Sequence, residues 1–152
     1  MSIVGAHHTS FTVADLSRSV EFFRDVLGLE LLFEREIRDA YFAKIVGLPD
    51  CVVKAALFRL PGSSHHLELF QYLQPPGRIV QPRPCDPGSA HLSLLVQDLP
   101  RLYAALRARG VAFVSEPVMI SAGPNQGGYG VYLHDPNGIL IELFQRPAGT
   151  AV

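Results

Sequence analysis

Four residues carry the donors with the most chemical potential in this chain: His8, Glu68, His91 and Glu142. Two neutral imidazoles and two carboxylates offset the charge of a divalent cation, and such nitrogen and oxygen donors suit Ni, Zn, Co, Mn or Fe. Taken singly, each has a plainer explanation: a glutamate on an edge strand facing water, a histidine satisfied within a core. Their phase argues for a set. Side chains alternate along a strand, so His8, Ser10 and Thr12 share one face while Thr9, Phe11 and Val13 share the other. His91 and Ser93 oppose Leu92, Leu94 and Val96 in the same way, and Glu68 and Glu142 each stand between apolar residues of the opposite phase. A glutamate in mid-strand is costly to bury without a partner, and a shared cation removes that cost.

The elements that position the four residues come from an internal repeat. His8 opens H-T-S-F-T-V-A-D-L and His91 opens H-L-S-L-L-V-Q-D-L. Each run is followed by a helical pattern ending in glycine, at Gly28 and Gly110, and each copy closes on a similar strand: L-E-L-F-Q at 67–71 and I-E-L-F-Q at 141–145. Residues 1–73 and 88–147 are thus expected to be two βαβββ modules. Residues 74–87 between them are rich in proline and read as a semi-rigid linker. Residues 148–152 read as a frayed tail.

Within the first copy, residues 8–13 read as a strand. Leu16, Val20, Phe23 and Leu27 form one apolar helical stripe, with Asp15 as N-cap and Gly28 just past the end. Strands are expected at 29–33, 52–60 and 66–72, with a short helix at 40–46. The second copy repeats the plan, with Leu99, Leu102 and Leu106 on its helix. Its last two strands, at 130–134 and 139–144, meet at the turn Asp135-Pro136-Asn137-Gly138. The expected class is α+β, built from two tandem βαβββ modules.

Composition removes several other functions. The chain has 152 residues, 48% hydrophobic and 18% charged, too apolar for disorder. Thirteen Lys and Arg against 14 Asp and Glu give a net charge of -1, and the basic residues are scattered, so no nucleic-acid partner is expected. No run approaches the ~20 apolar residues of a membrane span, and no signal peptide is expected. Cys51 and Cys85 are isolated and read as free thiols, which makes the expected location cytoplasmic.

With the quartet, H-x4-V-x-D-L occurring twice, Leu27-Gly28, and D-P-x-G-x3-E at 135–142, the chain resembles the vicinal-oxygen-chelate superfamily. That group includes glyoxalase I, methylmalonyl-CoA epimerase, extradiol dioxygenases and bleomycin-binding resistance proteins. The resemblance implies that the two modules form a curved mixed sheet, a half-barrel, around a metal site, and that His8, Glu68, His91 and Glu142 ligate one divalent ion. His7 competes for the first position but breaks the register that His8 shares with His91. The His-Glu-His-Glu order is similar to bacterial glyoxalase I and close to the epimerase, which carries Gln at the second position. It implies an isomerase or lyase that transfers a proton next to a carbonyl held by the metal, with Glu142 or Glu68 as base. Substrate contacts would come from His66, Phe70, Tyr129, Tyr132 and Phe144. The resemblance also implies a small-molecule substrate and a homodimer. Two alternatives stay open: a non-catalytic antibiotic-binding resistance protein, and an enzyme like the extradiol dioxygenases. The Gly-rich stretch 123–129 reads as a lid or as a long turn, and His65 and His134 read as surface residues.

Overall fold

The computed structural model describes residues 2–150; the last two residues of the expected tail lie outside them. The chain divides into two compact units, Met1–Val80 and Gln81–Val152. Each holds a four-stranded mixed sheet, so the class is α+β.

In the first unit, β1 (His8–Thr12) lies parallel to β4 (His66–Gln74). β3 (Val52–Arg59) pairs antiparallel with β4, and β2 (Glu30–Ile37) with β3. The order is β1-β4-β3-β2. A parallel neighbour requires a crossover, and the segment from Asp15 onward begins it. Asp15 accepts the backbone N–H of Arg18 at 3.2 Å and starts α1 (Leu16–Glu21). After Glu21 the helix widens into a π-helical turn, Phe22–Val26, closed by Leu27 N–H onto the Phe22 carbonyl at 3.0 Å. The wider turn alters the expected stripe. Phe22 and Phe23 are both buried, while Leu27 is only half-buried. Phe23 meets Phe58 of β3 at 5.8 Å between ring centroids, on the face that also buries Ala56, Leu67 and Leu69. Each of these phenylalanines contributes about 2 kcal/mol by its burial.

The opposite face of this sheet is covered in part. The short helix α2 (Ala40–Val46) lays Phe42 against Phe70, with centroids 5.4 Å apart. Phe42 clusters with Ile37, Cys51, Val53 and Ala55, and Phe70 and Tyr72 pack against that cluster. β2 runs to Ile37, beyond the expected end at Phe33, because Glu34, Arg35 and Glu36 stay in register with Ala56, Ala55 and Lys54.

The second unit repeats the plan with one element reduced. β5 (His91–Leu95) lies parallel to β8 (Leu140–Gln145), β7 (Tyr129–His134) pairs antiparallel with β8, and β6 (Val118–Met119) with β7. The order β5-β8-β7-β6 matches the first unit. The helix α3 (Leu99–Ala108) starts on Asp98, which accepts Arg101 N–H at 3.1 Å, and buries Leu99 and Leu106. The strand that corresponds to β2 shrinks to two residues and an isolated bridge between Phe113 and Leu133. Pro117 immediately before β6 has no N–H to offer the ladder.

Candidate functional site

The first unit brings His8 and Glu68 together. Ser10, not His8, is the register partner of Glu68, so the imidazole reaches one step along the parallel pair. His8 Nε2 lies 3.2 Å from Glu68 Oε2. The second unit makes the same arrangement: Ser93 is the partner of Glu142, and His91 Nε2 lies 3.6 Å from Glu142 Oε2. The carboxylates are the shielded members, their side chains 15% and 24% exposed against 40% and 43% for the imidazoles. Partly exposed ion pairs contribute little to stability, of the order of 0–1 kcal/mol. Repeating such a pair at equivalent positions is therefore not explained by folding energy.

Each pair has a phenol nearby. Tyr132 is the register partner of Glu142 across β7 and β8, and its hydroxyl lies 3.5 Å from His91 Nε2. Its ring meets the imidazole edge to face at 5.2 Å. Burial first, and then the Glu142 charge, hold the Tyr132 phenol above its ordinary range, so it stays a hydrogen-bond donor. Tyr72 is raised by burial, then by Cys51 and Glu68. Gly130 pairs with Phe144, and a methyl group there would come within 3.7 Å of Glu142 Oε1. Its lack of a side chain leaves room beside that oxygen.

The remaining residues expected at the site separate. Phe144 and Tyr132 share the Glu142 face and are half-buried. Phe70 shares the Glu68 face but packs against the Phe42 cluster. Tyr129 is not brought to the Glu142 face. It pairs with Gln145 and falls in phase with Val131 and Leu133, because strand alternation from Tyr132 places an odd step on the opposite side. His66 is the register partner of His8, and its Nδ1 lies 3.3 Å from the His7 carbonyl oxygen. His65 Nε2 lies 2.9 Å from Thr9 Oγ1, and His134 is exposed. The Gly-rich stretch is a hydrogen-bonded turn: Ile120 N–H bonds the Gly128 carbonyl and Gly127 N–H the Ile120 carbonyl, each at 2.9 Å.

Sequence reasoning missed three supports. Gln71 Oε1 accepts Leu16 N–H at 3.1 Å, and Gln145 Oε1 accepts Leu99 N–H at 2.7 Å. Each glutamine stands three residues past the glutamate of its unit and ties the helix start to the strand that carries it. The repeated Gln was visible, but a polar residue on an otherwise apolar face was the available signal. Asp135 is buried and accepts Asn137 N–H at 2.9 Å and Ile139 N–H at 2.7 Å, which fixes the turn leading into β8. His7, the competitor for the first position, lies beside His8, with its Nδ1 2.7 Å from that of His8.

As metal donors the residues fit in kind. Each unit offers one imidazole nitrogen and one carboxylate oxygen, the borderline and hard donors that first-row divalent ions take. Among the described residues no group of three or more His, Cys, Asp or Glu is gathered that could hold a metal. Each unit brings one histidine and one glutamate together. No helix among the described residues is long and apolar enough to cross a membrane.

Paired β-α-β-β-β units with a His–Glu pair on each define a class. The chain belongs to the Glyoxalase/Bleomycin resistance protein/Dioxygenase superfamily, whose model matches residues 5–143. Among its relatives it is 37% identical to a 2-epi-5-epi-valiolone epimerase from Actinomyces sp over 96% of this chain and 81% of that protein. It is also 30% identical to a lactoylglutathione lyase from Haemophilus influenzae, over 91% of this chain and 90% of the other. The crystal structure of a glyoxalase family protein from Bacillus cereus shares the fold, with a TM-score of 0.84, 22% identity and coverage of 97% of both chains. Relatives of the chain thus include an epimerase and a lyase.

Proposed function

We propose that this protein is a metal-dependent isomerase that moves a proton at the carbon beside a carbonyl, and that it acts as an epimerase on a small polyhydroxylated ketone. The observation that carries this reading is the repeated His–Glu pair, 3.2 Å in one unit and 3.6 Å in the other. His8, Glu68, His91 and Glu142 would hold one divalent ion, assembled within a chain or across a homodimer. When bound, the ion supplies Lewis acidity to the substrate carbonyl and offsets the negative charge that develops as the neighbouring C–H bond breaks.

The chain's own groups do the rest. Inverting a carbon requires that a proton leave one face and another arrive on the opposite face. Glu142 takes the proton from carbon, leaving the electron pair delocalised onto the carbonyl oxygen. Glu68, as its acid form, returns a proton to that carbon, and solvent exchange restores both carboxyl groups. Tyr132, kept protonated by burial and by Glu142, offers a hydrogen bond to a substrate oxygen. The 37% identity to a 2-epi-5-epi-valiolone epimerase favours a hydroxyketone substrate. The lyase relative makes a hemithioacetal the second choice.

Solvent-deuterium exchange tests the reading. Metal-loaded protein is incubated in deuterium oxide with cyclic α-hydroxyketones, hemithioacetals and acyl-CoA esters. Metal-dependent deuterium incorporation beside the carbonyl of a hydroxyketone, lost in Glu142→Gln, is the expected result. Exchange only with a hemithioacetal would move the assignment to a glyoxalase. No exchange with any compound, together with tight metal-independent binding of an aromatic natural product, would make the protein a binder instead.

A further inference from the structure

We propose that Arg35, held by Tyr41, is a substrate-recognition residue on the Glu68 face of the first unit. Its ligand is an anionic group, a phosphate ester or a carboxylate, at the far end of the ketone. The inference rests on the reading of that face as a place of proton transfer, and narrows the substrate from a polyhydroxylated ketone to an anionic one.

Register places Arg35 on this face. Glu68 pairs with Leu57 and Leu57 with Phe33, which makes one row across the sheet. Phe70 pairs with Ala55 and Ala55 with Arg35, which makes the next row with side chains on the same side. Beyond that row the face is closed, since Phe42 of α2 covers Phe70 and Ile37 belongs to the same buried cluster. On the Glu68 row Phe33 is 40% exposed. The open part of the face is therefore bounded by Glu68 at one side and Arg35 at the other. Two strand spacings and two residues separate them, ~12 Å between Cα atoms. Both side chains reach inward, and a sugar-sized ketone with an anionic group at its far end covers the remaining span.

The charge of Arg35 meets no carboxylate. Glu34 and Glu36 flank it in sequence but lie in the opposite phase, in register with Ala56 and Lys54. Nearby, Arg59 meets Glu30 at 2.8 Å and Arg38 meets Glu36. Arg35 instead donates through Nη2 to the Tyr41 hydroxyl at 3.0 Å. A phenol orients the guanidinium without neutralising it, and the other N–H groups stay available to a pair of oxyanion oxygens. Folding does not ask for a cation here. The equivalent position in the second unit, reached from Glu142 through Phe144 and Gly130, is Val118.

The test titrates the full chain, labelled with 15N and treated with chelator, with D-fructose, D-fructose 6-phosphate and 5-keto-D-gluconate. The Arg35 Nε–Hε signal reports binding, and without metal the anion has only protein side chains to bind. At least one of the two charged ketoses is expected to shift that signal saturably and to bind about 10-fold tighter than fructose. The tighter of the two names the anion. Arg35→Ala should remove the preference, and Arg35→Lys, which keeps the charge but loses the fork, should restore part of it. Tyr41→Phe should reduce the preference while leaving the fructose affinity unchanged. Arg38→Ala, which removes a guanidinium already paired with Glu36, should keep it. Arg35 and Tyr41 are exposed, so their variants should keep the wild-type amide spectrum. Equal affinities for all three ketoses, absence of any saturable shift, or a preference that survives Arg35→Ala overturns the proposal. Failure of the proton-transfer reading shows separately, as absence of deuterium exchange in metal-loaded protein for every ketone, whatever the affinities.

Discussion

Glu68 and Glu142 occupy equivalent strand positions, yet their surroundings divide the work between them. Glu142 is the more exposed of the two, faces the phenol of Tyr132, and has Gly130 beside its Oε1 where any other residue would place a side chain. Glu68 is tighter against its histidine and more shielded, with Leu57 across from it instead of a tyrosine. A base needs access to carbon, so Glu142→Gln should lower the exchange rate by about 10²- to 10⁴-fold. Glu68→Gln should keep a larger part of the exchange rate, because removal and return of a proton on the Glu142 side does not need Glu68. It should lose epimerisation, since an amide has no acidic proton to deliver. Equal losses in the two variants, measured by mass spectrometry of the recovered substrate, would remove this distinction. The alternation of strand residues made all four of these positions legible in the sequence, since phase survives without knowledge of tertiary contacts. Asp135 was legible only as part of a turn, not as its keystone. Its carboxylate is buried and satisfies two backbone N–H groups. Asp135→Ala leaves both without that acceptor and should cost about 3 kcal/mol in a denaturant titration. A loss within the error of the titration would mean that the turn holds without its side chain.

The elements show why repeat matching succeeded for strands and helix starts but not for everything between them. Asp15 and Asp98 cap their helices as their spacing suggests, because a cap is a local arrangement. Gln71 and Gln145 act across 55 and 46 residues of sequence, a contact that exists only after the parallel strand is in place. Gln71 also donates to the Ala14 carbonyl at 2.9 Å. Each glutamine thereby fastens the helix start to the strand that carries its glutamate. Gln71→Ala and Gln145→Ala should each destabilise the protein by about 1–2 kcal/mol, the range of a lost helix cap. Gln71→Glu should recover part of this at neutral pH, since a carboxylate accepts the same N–H. If the alanine variants unfold at the wild-type midpoint, the glutamines do not anchor these helices. The π-helical turn after Glu21 was hidden for a different reason. The turn Phe22–Val26 is π-helical and so departs from the fixed 3.6-residue period on which the expected stripe rests. The reduced β6 follows from Pro117, whose effect is plain once the partner strand is known.

At the scale of the whole molecule, the two units raise one question: whether their two His–Glu pairs act as separate pairs or as one site. Each offers two donors, fewer than first-row ions usually accept from a protein site. If the pairs are halves of one site, a single metal links residues from Met1–Val80 with residues from Gln81–Val152, whether these come from one chain or two. The stoichiometry should then be one ion per chain, with a homodimeric mass by light scattering at micromolar concentration. A monomeric mass would remove the dimer without touching the site. Binding to the folded state alone stabilises it by RT ln(1 + [L]/Kd), about 2.7 kcal/mol when the free metal is at 100 times Kd. Chelation should therefore lower the unfolding midpoint of wild-type protein, and adding Zn(II) back should restore it. His8→Ala in the first unit and His91→Ala in the second should each abolish most of that shift, because removing any one of four ligands weakens the whole set. Two independent pairs would behave otherwise: each variant would lose about half of the bound metal, and the double variant would be needed to lose it all. Counting the metal bound by each single variant decides between these outcomes without reference to any substrate.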